Sequence, residues 1–206
     1  MTYALSIDWL SFFCESDTGE LNQFVDYYEY EVAPHGTRQY KQLITVYREG
    51  EEFAEVQQIP CSPILRKRSM IVKISNRWLY SRGLWYRLSK FLELQRIKVL
   101  SVSRVDLCAD FNTFYNGLHP ITLIKKFLNT SYRHIGRGIG ASYFDHRGKK
   151  IDGVSIAHLN YTGLSFGSKK SDVRVYLYDK SFELATVKDK PHIRQLWATA
   201  GLKNDT

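Results

Sequence analysis

Two short stretches place reactive side chains at the two-residue spacing of one β-strand face. In Val173–Lys180 that face carries Arg174, Tyr176, Tyr178 and Lys180, two phenols beside two cations. A free tyrosine ionises near pH ~10 and is a weak nucleophile at neutrality. Cations nearby favour its phenolate and offset the charge that builds on a phosphorus under attack. Glu183, a little further on, offers a base or a ligand. In Ser103–Phe111 one face carries Arg104, Asp106, Cys108 and Asp110, and the other Val105, Leu107, Ala109 and Phe111. Asp106 and Asp110 could converge on a hard cation such as Mg2+ or Mn2+. Strands disfavour aspartate, so two of them call for a reason. A strand with its polar side in water would also account for either pattern.

Between these stretches lie Arg133-His134-Ile135-Gly136-Arg137-Gly138-Ile139-Gly140 and Asp145-His146-Arg147-Gly148-Lys149-Lys150. Glycines let a backbone approach phosphates, and Arg133, Arg137, Arg147, Lys149 and Lys150 would neutralise them. The run has no Gly-Lys-Ser/Thr ending and opens no helix, so it is neither a P-loop nor a dinucleotide fingerprint. A charged surface hairpin is the plain alternative. There is no His-x-His pair, no Gly-x-Ser-x-Gly elbow and no Cys–His spacing that supports catalysis.

The elements that must position these residues are legible from periodicity. Strands are predicted over Tyr3–Phe13, Gln42–Tyr47, Phe53–Ile59, Met70–Ile74, Val99–Phe111, Ser155–Phe166 and Val173–Tyr178. Arg48-Glu49-Gly50-Glu51 reads as a hairpin turn. Helices are predicted over Thr18–Tyr30, around Leu84, Trp85, Leu88, Phe91 and Leu92, from Pro120, and over Pro191–Ala200 with Gly201 ending it. This order implies an α+β domain, a mainly antiparallel central sheet with packed helices, spanning 1–206 as one unit.

Composition narrows the partners. Twenty-nine Lys+Arg against twenty-one Asp+Glu give a net charge of +8 and a pI near 9.3. Such a chain attracts phosphates, which places nucleic acid first, ahead of anionic membrane surfaces. No apolar run approaches a membrane span. Three scattered cysteines without a CxxC pair argue against a disulfide framework or zinc site and for the cytoplasm.

Three segments resemble the replication initiation factor family, which comprises the trans-acting Rep proteins of rolling-circle plasmids and related relaxases of conjugative transposons. Ser103–Phe111 is similar to its R-hydrophobic-D-hydrophobic-x-x-D-F strand. Thr162–Glu183 resembles its T-x-x-x-G-S-x-x-S … R-x-Y-D/N-K-x-x-E block, and Ile7–Phe12 looks like its opening. The resemblance implies a fold related to the rolling-circle nickases and relaxases. It implies a metal-dependent endonuclease that cuts one strand of a plasmid or mobile-element origin through a tyrosine and stays joined to the 5′ end. Tyr178 is then the nucleophile, Arg174 and Lys180 steady the phosphate, and Asp106, Asp110 and Glu183 are ligands for Mg2+ or Mn2+. Tyr176 shares the strand face and stays open as an alternative nucleophile.

Expected partners are a double-strand origin and its single-stranded nick region, with a helicase and a second copy of the chain also admitted. A further strand and helical region are expected beyond Thr206, which would make this a truncated chain. Conjugative mobilisation and a catalytically inactive DNA-binding fragment are the other functions that fit.

Overall fold

The computed structural model describes residues 2–111, 120–128, 142–144, 163–167, 171–186 and 189–202. These form an α+β protein with a mainly antiparallel six-stranded sheet, a three-stranded sheet and a few helices. The chain divides into two compact units, Leu5–Cys108 and Ala109–Thr206 with Met1–Ala4.

In the Leu5–Cys108 unit the strands are β1 (Tyr3–Ser16), β2 (Glu29–Val32), β3 (Tyr40–Arg48), β4 (Glu51–Pro60), β5 (Ser69–Ile74) and β6 (Ile97–Phe111). Their order across the sheet is β2-β3-β4-β5-β1-β6. The β3–β4 hairpin is the predicted one. Arg48 pairs with Glu51, and Glu49 and Gly50 both hold positive φ (55° and 74°), the two-residue turn whose twist matches that of the strands.

Alternation on β1 sends Leu10, Phe12 and Cys14 into the core, where they meet Ile44, Val46, Val56, Val72 and Ile74. Helices α1 (Asn76–Leu79) and α2 (Leu84–Leu94) cover this layer with Trp78, Leu84, Leu88 and Phe91. Tyr28, Phe53, Trp78 and Phe91 form a chain of tilted and edge-on rings 5.2–5.8 Å apart. Trp85, expected on the buried stripe of α2, is instead 59% exposed.

The helix predicted over Thr18–Tyr30 does not form. Its amides find side-chain acceptors instead: Leu21 N–H donates to Gln58 Oε1 and Asn22 N–H to Gln95 Oε1, both at 2.8 Å. Asn22 Oδ1 takes the amide of Phe24, and Tyr27 adopts a left-handed φ of 73°. Side-chain acceptors, whether near in sequence like Asn22 or distant like Gln58 and Gln95, compete directly with helix hydrogen bonds. Leu21 and Tyr28 still reach the core, but from irregular chain.

The second unit holds α3 (Pro120–Leu128), β7 (Ser142–Phe144), β8 (Gly163–Phe166), β9 (Val175–Tyr178), α4 (Lys180–Thr186) and α5 (Pro191–Ala200). The strands pair antiparallel in the order β7-β8-β9. Leu164 and Leu177 sit opposite one another and, with Phe166, pack against Ile124 and Phe127 of α3. Helix α5 starts at Pro191 and ends as predicted at Gly201, which has φ 71°. The amides of Gly201 and Leu202 return to Ala198 and Trp197, closing the last turn. Among the described residues no helix is long and apolar enough to cross a membrane.

Candidate active site around Tyr178

Strand β9 ends at Tyr178, and the chain turns at once into α4. Asp179 makes that turn. Its carboxylate oxygen accepts the amide of Phe182 at 2.9 Å, and its carbonyl accepts the amide of Glu183 at 3.2 Å, the pattern of an N-cap. The strand ends at Tyr178 as expected, and the cap makes Lys180 the first helical residue rather than a fourth member of the strand face.

The result is a buried charge group. Lys180 is only 4% exposed. Its ammonium donates to the Tyr178 hydroxyl at 2.9 Å and pairs with Glu183 Oε2 at 2.7 Å. Burial alone would lower the Lys180 pKa. The Tyr178 oxygen and the Glu183 carboxylate outweigh it and hold the ammonium above its usual range. Lys180 is therefore a fixed cation at the tyrosine oxygen, not a proton acceptor.

Arg174 lies before the strand, with its guanidinium 5.1 Å from the centre of the Tyr176 ring. The four residues expected on one face thus sort into two pairs, Arg174 with Tyr176 and Lys180 with Tyr178. In the second pair the cation is hydrogen-bonded to the phenolic oxygen. Tyr176 is about half exposed, whereas Tyr178 is half-buried.

The three carboxylates expected to hold a metal each have another partner. Asp106 is gripped by Arg104, Nε to Oδ1 at 2.8 Å and Nη2 to Oδ2 at 2.6 Å. Arg104 in turn lies 4.3 Å over the ring of Trp9. Asp110 is buried and accepts from the indole N–H of Trp197 at 2.8 Å. Glu183 faces Lys180. Along an extended strand the four residues from Asp106 to Asp110 span about 13 Å, more than two aspartates can bridge to one ion with bonds of ~2–2.6 Å. Among the described residues no group of three His, Cys, Asp or Glu could hold a metal ion. These residues do not fit a divalent cation as they stand.

The basic candidates Arg133, Arg137, Arg147, Lys149 and Lys150 lie outside the described residues, as does most of the strand predicted to begin at Ser155. The sequence reading missed the N-cap at Asp179, for which an Asp before a polar-apolar run was the available signal. It also missed the Trp197–Asp110 bond, for which residues so far apart in the chain give no signal. No protein-family model, curated protein or solved structure matches the chain.

Proposed function

We propose that this protein cuts and rejoins one DNA strand, initiating replication at a rolling-circle origin, with Tyr178 as its nucleophile and a fold related to the nickases and relaxases. The observation that carries this reading is the buried Lys180 ammonium bonded to the Tyr178 oxygen. An ammonium held there stabilises negative charge on that oxygen as its proton departs to solvent. The oxygen then bonds to phosphorus, the bond from phosphorus to the 3′ oxygen breaks, and that oxygen leaves as a 3′-hydroxyl after taking up a proton. A 5′-phosphotyrosine keeps the phosphodiester energy, so the step reverses and the strand can be resealed.

Charge distribution supports the same reading. The unit that carries Tyr178 has fifteen Lys+Arg against eight Asp+Glu, whereas Leu5–Cys108 has fourteen against thirteen. Nearly all of the chain's excess positive charge thus belongs to the part that would meet the scissile phosphate. The test is to incubate the protein with an end-labelled origin strand and separate the products on a denaturing gel. A labelled band at the protein's mass supports the reading, and its absence across origin sequences and divalent ions overturns it.

A further inference from the structure

A shallow groove in the Leu5–Cys108 unit is lined by Tyr27, Tyr28, Arg48, Tyr86, Lys90 and Leu94. Among the described residues its lining is rings, two cations and one aliphatic side chain, without a carboxylate. Tyr27 and Tyr86 are 83% and 69% exposed. Rings that serve the core do not stay in water to that extent. Tyr27 holds a left-handed backbone, φ 73°, that bulky side chains rarely adopt. Tyr86, Lys90 and Leu94 follow at four-residue spacing along α2, so they share one side of that helix.

The cations are in place without being locked. Arg48 donates to the Tyr28 hydroxyl at 3.1 Å and lies 5.5 Å from the centre of that ring. Its ion pair with Glu49, at 3.4 Å, and that of Lys90 with Glu93, at 2.8 Å, are solvent-exposed on the carboxylate side. Exposed pairs of this kind are weak, and a phosphate can replace the carboxylate.

We propose that this groove binds single-stranded DNA, with bases stacked on Tyr27 and Tyr86 and phosphates at Arg48 and Lys90. The proposal rests on the reading of the chain as a DNA-nicking protein, and it adds a strand-holding site in the unit that lacks Tyr178. Open aromatic faces flanked by cations are the chemistry of sequence-tolerant strand binding. Leu5–Cys108 is nearly neutral overall, so stacking rather than bulk charge sets affinity there.

The test measures binding of a labelled twelve-nucleotide thymidine strand to the full chain by fluorescence anisotropy over a range of salt. Tyr27→Ala and Tyr86→Ala should each weaken binding by about 5- to 150-fold, the loss of one stacked base. Tyr27→Phe and Tyr86→Phe keep the ring and should bind nearly as wild type, which guards against a folding artefact. Arg48→Gln with Lys90→Gln should flatten the slope of log affinity against log salt by about 1.4, or ~0.7 per phosphate. Covalent adduct formation by Tyr178 on a strand too short to reach a second site should persist in all these variants. Alanine variants that bind as wild type overturn the groove, whatever the adduct assay gives. So does a wild type that binds no thymidine strand, a thymidine monophosphate that binds as tightly as the strand, or ring variants that lose only self-association. Groove variants that lose strand binding in a protein that forms no adduct would sink the Tyr178 reading and leave the groove standing.

Discussion

The Lys180 ammonium and the Tyr178 hydroxyl are 2.9 Å apart although only one residue separates them in sequence. Arg104 and Asp106 meet at the same spacing inside the continuous strand β6. Between Tyr178 and Lys180 the chain instead passes from strand to helix at Asp179.

That ion group makes a stability prediction. Lys180→Met removes the cation and leaves Glu183 largely buried without its partner, so unfolding free energy should fall by an amount near the lower end of ~3–5 kcal/mol. Adding Glu183→Gln removes the stranded charge, and the double variant should be more stable than the sum of the single losses by ~1–3 kcal/mol. Urea unfolding of the four proteins measures this. Strict additivity would mean that the two side chains do not interact.

Trp197 and Asp110 form a further buried polar contact in the second unit, with the indole N–H 2.8 Å from the carboxylate. Trp197→Phe keeps most of the ring volume and removes the donor. It should cost ~1–3 kcal/mol, the penalty for a buried acceptor that loses a hydrogen bond. An unchanged urea midpoint would show the bond to be incidental.

Burial pushes the Cys14 thiol up to about 12. Because its folded pKa lies above the unfolded one, the native state keeps a proton that the unfolded chain releases. This contribution is complete below pH ~8.5 and is lost as pH rises towards 12. Native protein at pH 8 should therefore label at exposed Cys61 and not at buried Cys14. Rapid labelling of Cys14, read by peptide mass spectrometry, would contradict its placement in the core.

Much of this fold was legible from the sequence, and the reasons differ from element to element. The β3–β4 hairpin was readable because Glu49-Gly50 is a turn signal flanked by alternating apolar residues. The end of α5 was readable because Gly201 follows the last periodic residue. Thr18–Tyr30 misled because Leu21, Val25 and Tyr28 keep a helical period while Gln58 and Gln95, distant in sequence, take its amides. At the candidate site, the strand pattern found Tyr178 and Lys180 but not their contact, because a single capping residue redirects the chain. The carboxylate pattern gave Asp106, Asp110 and Glu183 but not Arg104, Trp197 and Lys180 as their partners.

Since a protein group (Arg104, Trp197 or Lys180) already lies against each of the three carboxylates, the folded protein should not need a metal ion for stability. Treatment with EDTA should leave the melting temperature unchanged, and added Mn2+ should not raise it in the absence of DNA. An ion bound at a hundred times its Kd would add ~2.7 kcal/mol and several degrees. Such a rise would mean that Arg104 or Lys180 gives way to metal.

The central claim is that Tyr178, and not Tyr176, becomes joined to DNA. The most direct measurement is to trap the adduct, digest both protein and DNA, and locate the nucleotide-bearing residue by mass spectrometry. The Lys180 contact predicts a nucleotide on Tyr178, and loss of the adduct in Tyr178→Phe while Tyr176→Phe retains it. A nucleotide on Tyr176, or an adduct that survives Tyr178→Phe, would contradict the account.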